Sequence, residues 1–365
     1  MKKHISILSI LVLILCSCQK NVSNREAGSQ TDVYVAGVEY NGTTYVAKYW
    51  KNGQSIALTD GTKDADATSI FVSGNDVYVC GSIVNEGVMY WKNGSPVILG
   101  TGYASGIAVS GNDVYVSGSM QHDPNDGYHA VVWKNGIPTY LPENTRSGDW
   151  ADVYPISSKT SIAHSIFISG EDIYIAGEEE ISRTTSPYPD LGTASATSAV
   201  YWKNGNEIYL IKGPYAGSYA DKTTSIFVSG NDVYACGALE GKYWKNGIPV
   251  ELYATVNSIF VSNGDVYVAG TQSDGQPYQT YNGERYRVVA KYWKNGSPVN
   301  LSDGTKDAYA TSIAVSGNDV YVAGYEEKTP GVGDNVARYW KNGSVVVLGD
   351  VTKESGAQSI FLVNK

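Results

Sequence analysis

Cysteine and histidine are scarce in this chain, and their scarcity limits the chemistry that it can perform. The sequence contains four cysteines and four histidines. Two of the cysteines, Cys16 and Cys18, lie in an apolar segment at the start of the chain. Cys80 and Cys236 replace an alanine in separated copies of a repeated motif, so we expect two small buried residues and no disulfide between them. A disulfide framework is therefore excluded as the source of stability.

Motifs of known catalytic machinery are also missing. The sequence has no Gly-x-Ser-x-Gly nucleophile elbow, no phosphate-binding loop and no paired-cysteine metal motif. Glu178 to Glu180, with Glu326 and Glu327, leave a glycosidase-type carboxylate pair open, although solvated acidic loops explain them more simply. A metal or acid–base site also stays open at three histidines with nearby aspartates, although a polar turn explains part of this segment: His122, His129 and His164. We predict no catalytic residue.

An excess of basic residues is absent as well. The formal net charge is −9, which makes nucleic acid and anionic lipid surfaces poor partners for the chain. Two similar acidic segments, residues 60–66 and 303–309, could hold calcium with carboxylates and backbone carbonyls. A lysine in the middle of each segment and a missing third carboxylate in the second favour a simple turn. We therefore predict no cofactor, with calcium as the alternative.

The first residues of the chain have the pattern of a processing signal. Two lysines precede an apolar run from Ile5 to Leu15, which is too short to span a bilayer and predicts a secretory signal peptide over residues 1–18. Its end resembles a bacterial lipobox, which predicts lipidation, including palmitate, at Cys18; an ordinary signal peptide is the alternative. Residues 19–30 are polar and predict a tether. We expect an exported protein held at the bacterial outer membrane or cell surface by its lipid anchor alone.

A repeated pair of motifs is the strongest signal in the sequence. Seven times, a version of Asp-Val-Tyr-Val-Ala-Gly is followed by a Trp-Lys-Asn-Gly turn. The aspartates recur at intervals of 33 to 60 residues, and only strand and hairpin signals lie between them. Such a period is typical of a β-propeller. We expect the tryptophans of these turns to pack between blades, and they are Trp50, Trp91, Trp133, Trp202, Trp244, Trp293 and Trp340.

Each repeat predicts four antiparallel strands joined by tight turns. Gly-Asn and Asn-Gly pairs favour two-residue hairpins because their backbones adopt positive φ angles. The first repeat starts at Asp32 without a first strand, whereas residues 359–363 form a first strand without a second. The prediction is an all-β, seven-bladed β-propeller over residues 31–365, with four antiparallel strands per blade. The C-terminal strand closes the ring by joining the N-terminal blade.

The connections between strands differ in how much they vary. The turn between the first and second strands keeps its length where it is uninterrupted, and the third and fourth strands are always joined by Lys-Asn-Gly. From the strand-two glycine to the tryptophan, the separation runs from 7 residues (Gly237 to Trp244) to 25 (Gly177 to Trp202). The two constant turns share one end of the ring, here called the constant face, and the variable connections share the other, the variable face. We expect function at the variable face, with neutral drift in loop length as the alternative.

Tyrosines outside the repeated motifs are concentrated in the variable connections. Tyrosine and tryptophan provide a large contact area together with a polar group, and they are common in recognition surfaces. We therefore predict ligand binding by Tyr128, Trp150, Tyr154, Tyr188, Tyr215, Tyr219, Tyr278, Tyr281, Tyr286 and Tyr309.

The strand pair from Ser312 to Gly324 and the segment from Ala290 to Gly296 resemble the repeats of uncharacterised, exported bacterial seven-bladed β-propeller lipoproteins. The resemblance covers nearly all of residues 31–365 and implies the architecture, but it transfers no catalytic residue. We expect a monomeric, lipid-anchored binding module of the cell envelope, whose partner is an envelope protein or a glycan. The alternatives are a carbohydrate-active enzyme of glycosidase or lyase type on the same face, and a structural spacer without a specific ligand.

Overall fold

The computed structural model describes residues 30–121, 127–143, 156–184, 193–211, 222–237, 241–280 and 283–365. In these ranges 28 β-strands form seven four-stranded antiparallel sheets. The sheets are the blades of a β-propeller, which confirms the predicted fold class. The predicted signal peptide, its lipidation site Cys18 and nearly all of the tether lie outside the described residues. No helix in the described ranges is long and apolar enough to cross a membrane.

Each blade runs from an inner strand at the axis of the ring to an outer strand at the rim. Blade 1 contains β1 (Thr31–Tyr40), β2 (Tyr45–Lys51) and β3 (Gln54–Ala57), with β28 (Ser355–Asn364) as its inner strand. Blade 2 contains β4 (Ala65–Ser73), β5 (Asp76–Ile83), β6 (Gly87–Lys92) and β7 (Ser95–Gly100). Blade 3 contains β8 (Tyr103–Ser110), β9 (Asp113–Gln121), β10 (Tyr128–Lys134) and β11 (Ile137–Tyr140).

The remaining four blades have the same order of strands. Blade 4 contains β12 (Ile156–Ser169), β13 (Asp172–Thr184), β14 (Thr193–Lys203) and β15 (Asn206–Ile211). Blade 5 contains β16 (Thr223–Ser229), β17 (Asp232–Gly237), β18 (Lys242–Lys245) and β19 (Ile248–Glu251). Blade 6 contains β20 (Thr255–Ser262), β21 (Asp265–Thr280), β22 (Gly283–Lys294) and β23 (Ser297–Asn300). Blade 7 contains β24 (Ala308–Ser316), β25 (Asp319–Glu327), β26 (Asn335–Lys341) and β27 (Ser344–Val347).

The ring is closed by strands that are far apart in the sequence. β28 pairs antiparallel with β1 along nearly the whole length of both strands. The amide of Lys365 donates a hydrogen bond to the carbonyl of Gln30 at 3.0 Å, and its ammonium lies 2.8 Å from the carboxylate of Asp32. Blade 1 therefore has the order β28-β1-β2-β3, which confirms the predicted closure.

The repeated Asp, Tyr, Lys and Asn residues form one cluster per blade on the constant face. In blade 2 the Lys92 ammonium lies 2.8 Å from the Asp76 carboxylate and 5.3 Å from the centre of the Tyr78 ring. Asn93, with a φ of 51°, donates to Asp76 at 2.7 Å and accepts from the Val77 amide at 2.9 Å. The same lysine–aspartate pair occurs in all seven blades, at 2.7 to 3.8 Å. The constant face thus neutralises its own repeated charges.

The repeat tryptophans lie between neighbouring blades, as predicted. None of them is more than 2 % exposed. Trp91 of blade 2, for example, packs against Tyr34, Ala36 and Ala47 of blade 1. Burial of such large apolar rings stabilises the contact between blades strongly.

A bulge near the variable end of each inner strand explains the glycine of the strand-two motif. In blade 1 the register between β1 and β28 shifts at Gly37. A Cβ atom at Gly37 would lie 2.0 Å from the carbonyl oxygen of Gly356, which is far closer than such atoms approach. A Cβ would meet an inner-strand carbonyl in the same way at Gly81, Gly118, Gly177, Gly270 and Gly324. The motif therefore requires glycine because two backbones approach closely.

Two glycines on the paired strands β1 and β28 of blade 1, Gly37 and Gly356, provide a matched test. We expect Gly37→Ala to lower the free energy of unfolding by about 3 kcal/mol, because the new methyl group forces the bulge apart. Gly356→Ala is expected to be neutral or to stabilise by up to about 1 kcal/mol, since its Cβ would meet nothing closer than 3.8 Å. Urea denaturation of the two variants measures the difference. Equal effects would contradict this explanation of the motif.

Candidate functional site

The bulged residues form a polar ring at the variable-face end of the central channel. At the bulge beside the strand-two glycine, one inner-strand residue per blade is left without a register partner, and these residues are Thr68, Ser105, His164, Thr224, Asn257, Thr311 and Gln358. The Thr68 hydroxyl lies 3.1 Å from the carbonyl oxygen of Cys80 and 2.9 Å from that of Ala104 in the next blade. Thr224 and Thr311 make equivalent contacts. These hydrogen bonds connect neighbouring blades near the variable-face end of the inner strands.

His164 is the histidine of this ring, and its partner is a carboxylate. Its Nε2 atom lies 3.3 Å from Oε1 of Glu178, and both side chains are about one-fifth exposed. Burial alone would raise the pKa of Glu178, but its hydrogen bond to His164 and the charges of His164 and Lys222 bring that pKa below its ordinary value. The mouth therefore holds a histidine–carboxylate pair with a lysine close by.

His129 contacts a different carboxylate. Its Nδ1 atom lies 2.8 Å from Oε1 of Glu143, and the Ser161 hydroxyl donates to the same oxygen at 2.5 Å. His122 lies outside the described residues. In the part of the chain that the structure describes, no three His, Cys, Asp or Glu side chains are grouped so that they could hold a metal ion.

The glutamates that follow strand two in blade 4 are not solvated loop residues, so that interpretation of the sequence was wrong. Glu178 to Glu180 lie within β13, because pairing between β12 and β13 continues beyond the repeated motif. The Glu179 side chain is fully buried, with Lys159 Nζ at 3.1 Å. The Tyr209 hydroxyl donates to its other oxygen at 2.5 Å. This carboxylate therefore holds blade 4 together internally.

The two glutamates of blade 7 are likewise part of the structure. Glu326 forms an ion pair with Arg338 at 2.7 Å, and both side chains are largely buried. Glu327 accepts hydrogen bonds from the amides of Gly331 and Gly333 at 2.8 and 3.1 Å, which shapes the following loop. Neither carboxylate is free to act as one of a glycosidase-type pair.

A buried ion pair in blade 1 was missed in the sequence. Glu39 is 4 % exposed, and its carboxylate lies 2.6 Å from Lys48 Nζ and 3.8 Å from Lys353 Nζ. It occupies the same position as Glu326 of blade 7, whose partner Arg338 matches Lys48. The sequence does carry a signal for this ion pair. An acidic residue lies two positions after the strand-two glycine, and a basic residue lies two positions before the tryptophan.

Pairs of tyrosines lie at the variable ends of the strands. The ring centres of Tyr103 and Tyr128 are 5.1 Å apart, and those of Tyr309 and Tyr325 are 5.0 Å apart. Burial raises the pKa of Tyr309 and of Tyr325. Tyr286 is 55 % exposed. Of the predicted binding residues, Tyr128, Tyr286 and Tyr309 thus lie on strands β10, β22 and β24 and not in loops, because these strands extend beyond the repeated motifs.

The structure does not test the other predicted binding residues. The backbone of Tyr278 lies in β21 opposite Arg285, but its side chain is outside the described part. The remaining residues are outside the described ranges entirely, and they are Trp150, Tyr154, Tyr188, Tyr215, Tyr219 and Tyr281.

A pocket of about 360 Å³ opens near the variable ends of blades 1 and 2. Tyr45, Asp64, Asp66 and Ser82 line it together with apolar residues. The Ser82 amide donates to Asp66, and the Tyr45 amide donates to Asp64 at 2.8 Å. Burial raises the pKa of Asp66. The pocket combines carboxylates, an aromatic ring and an apolar wall, as sites for small polar ligands commonly do.

The two acidic segments considered for calcium both form the same turn. Asp60 Oδ1 accepts from the amide and the hydroxyl of Thr62 at 2.9 and 2.7 Å, and Asp303 binds Thr305 in the same way. In the first segment, Lys63 extends to Glu86 at 2.8 Å. Asp60 and Asp303 therefore each accept two hydrogen bonds within their own turn.

Comparison with known proteins finds similarity only at the level of structure. No known protein family matches the chain, and no curated protein matches it. A structure from a study of two prolyl endopeptidases shares 13 % identity and a TM-score of 0.47, over 89 % of this chain and 50 % of that one. Acylaminoacyl peptidase from Pyrococcus horikoshii shares 13 % identity with a TM-score of 0.43, and the match covers 88 % of this chain and 50 % of that one. Apo AztD from Citrobacter koseri shares 11 % identity with a TM-score of 0.40, and the match covers 92 % of this chain and 98 % of that one. The chain spans about half the length of the two peptidases.

Proposed function

We propose that the protein is a lipid-anchored binding module of the cell envelope, with a signal peptide over residues 1–18, a tether over 19–30 and a propeller over 31–365. It recognises an envelope protein or a glycan through the variable face. The contrast between the two faces supports this proposal most. On the constant face, each blade neutralises its own lysine and aspartate.

The variable face offers groups that a partner can use. Tyr103 is 57 % exposed beside Tyr128, and Tyr286 is 55 % exposed. The pocket at Asp64 and Asp66 lies on the same side of the ring. Exposed aromatic rings next to hydrogen-bonding groups are typical of recognition surfaces for proteins and sugars.

The two alternatives have less support. A carbohydrate-active enzyme on this face needs carboxylates that are free to act, but Glu179, Glu326 and Glu327 are held in internal contacts. The pair of His164 and Glu178 is the feature that still favours an enzyme. A structural spacer without a ligand does not account for exposed tyrosines at the variable ends of the strands.

Binding measurements on matched variants test the proposal. Ligands are first selected with a glycan array and by capture from envelope extract, each with and without calcium. We expect the variant with Tyr103→Ala and Tyr286→Ala to bind the selected ligand about tenfold more weakly or worse, because exposed aromatic residues dominate such interfaces.

The control removes an apolar side chain from the opposite face. Ile248 follows the Asn-Gly turn of blade 5 and is 70 % exposed, so Ile248→Ala is expected to leave the affinity unchanged. Hydrolysis or elimination of an array glycan by the unmodified protein would instead support the enzyme. Unchanged affinity in the double tyrosine variant would contradict the assignment of the binding face.

A further inference from the structure

The inner strands place one residue per blade at the axis of the ring, and phenylalanine dominates this position. The chain contains five phenylalanines, and all of them occupy it: Phe71, Phe167, Phe227, Phe260 and Phe361. In blades 3 and 7 the position is held by Ala108 and Ala314 instead. Both alanines are at most 5 % exposed.

The phenylalanines form two arcs that the alanines separate. The ring centres of Phe71 and Phe361 are 4.7 Å apart. Phe227 lies 4.6 Å from Phe167 and 4.7 Å from Phe260 by the same measure. Blade 3 interrupts the circle on one side and blade 7 on nearly the opposite side. Two small residues therefore leave a slot between two aromatic walls.

The slot belongs to a cavity of about 500 Å³ on the axis. Isoleucine, valine and leucine side chains line it above and below the aromatic layer. Of the described residues that line it, only Asn364 is polar, and its Oδ1 already accepts hydrogen bonds from Ser316 and Thr31 at 2.5 and 3.1 Å. A charged ligand would lose its hydration here without compensation, whereas an apolar one would gain by leaving water.

We propose that this axial cavity binds an uncharged apolar small molecule. A water molecule occupies roughly 30 Å³ in the liquid. If each heavy atom of a ligand takes a similar volume, the cavity holds on the order of fifteen heavy atoms. The size is within the usual range of small-molecule sites. The site lies on the axis, below the polar ring of bulged residues, and is separate from the tyrosines of the variable face. The two alanines define it, because phenylalanine at either position would close the slot.

Two fluorescent probes with one ring skeleton test the proposal. N-phenyl-1-naphthylamine is neutral, and 8-anilinonaphthalene-1-sulfonate is its sulfonated relative. We expect the neutral probe to show saturable binding to the full chain, about tenfold or more tighter than that of the sulfonated one, because the cavity offers the sulfonate no partner. No saturable signal from the neutral probe, or equal affinity for both, would overturn the proposal.

Substitutions at the axial positions test where the neutral probe binds. Ala314→Phe, and separately Ala108→Phe, are expected to weaken binding of the neutral probe about tenfold or more, because the slot is filled. Phe260→Ala removes part of one aromatic wall but leaves the slot open, so it is expected to weaken binding less than filling does, which distinguishes filling from general damage. Circular dichroism melting shows which variants are folded. Undiminished affinity in a folded filled variant, or a greater loss in folded Phe260→Ala than in both folded filled variants, would overturn the site. The control with Tyr103→Ala and Tyr286→Ala is expected to bind the probe normally, so this test and that of the variable face can fail independently.

Discussion

Deletion of residues 358–365 is expected to abolish cooperative thermal unfolding, or to lower the melting temperature by tens of degrees. The lost segment carries Ile360, which packs in the core between blades 7 and 1, and Phe361, which packs in the core between blades 1 and 2. It also supplies the pairing partner of β1, whose edge would become exposed. A closed ring cannot lose an inner strand without disturbing the blades on both sides. Circular dichroism melting of the truncated protein measures the effect.

A point substitution in the same segment serves as the control. Lys365→Ala removes the ammonium that lies 2.8 Å from Asp32, but Lys51 remains 3.8 Å from that carboxylate. We expect a decrease of about 1 kcal/mol or less in the free energy of unfolding. If the truncated protein melted like the intact one, β28 would not be the closing strand.

Trp202→Ala is expected to lower the free energy of unfolding by about 3 to 5 kcal/mol. The ring of Trp202 is fully buried and packs with Leu141 of blade 3 and Ile175 of blade 4. Its Nε1 donates to the carbonyl of Pro142 at 2.8 Å, so the substitution also leaves this acceptor without its partner. Denaturant titration against the unmodified protein gives the value.

An exposed aromatic residue provides the comparison. Tyr286→Ala is expected to change the free energy of unfolding by less than about 0.5 kcal/mol, because the side chain is largely in solvent. The two substitutions should therefore have opposite profiles: the tryptophan variant loses stability, and the tyrosine variant loses ligand affinity. A stable Trp202→Ala protein with impaired binding would mean that the repeated turns bind ligand themselves.

The architecture could be predicted because its signals are local and are repeated seven times. Asn-Gly turns fix the hairpins, and the lone first strand at residues 359–363 could be assigned to the incomplete first repeat. Strand length could not be predicted in the same way. β13 and β21 continue to Thr184 and Thr280 with polar residues, since backbone pairing in a hairpin does not require apolar side chains.

The residues of the candidate site and their partners were harder to predict from the sequence. A bulge places His164 and the other ring residues at the channel mouth. This bulge depends on the register between two strands, and the register cannot be predicted from any single motif. Glu179 was interpreted as solvated because its partners, Lys159 and Tyr209, come from other strands of the blade. The five phenylalanines and two alanines of the axial position were present in the sequence, but only the closed ring shows that the alanines leave a slot.

Site-specific photocrosslinking in the producing cells tests most directly whether the variable face is the binding face. A benzophenone amino acid replaces Tyr103 or Tyr286 on the variable face, and Ile137 or Ile248 beside the Asn-Gly turns of the constant face. All four side chains are at least 55 % exposed, so the reactive group is comparably accessible. We predict that a discrete crosslinked envelope protein or glycan appears from the two variable-face positions only. The same product from the constant-face positions, at equal or higher yield, would contradict the account.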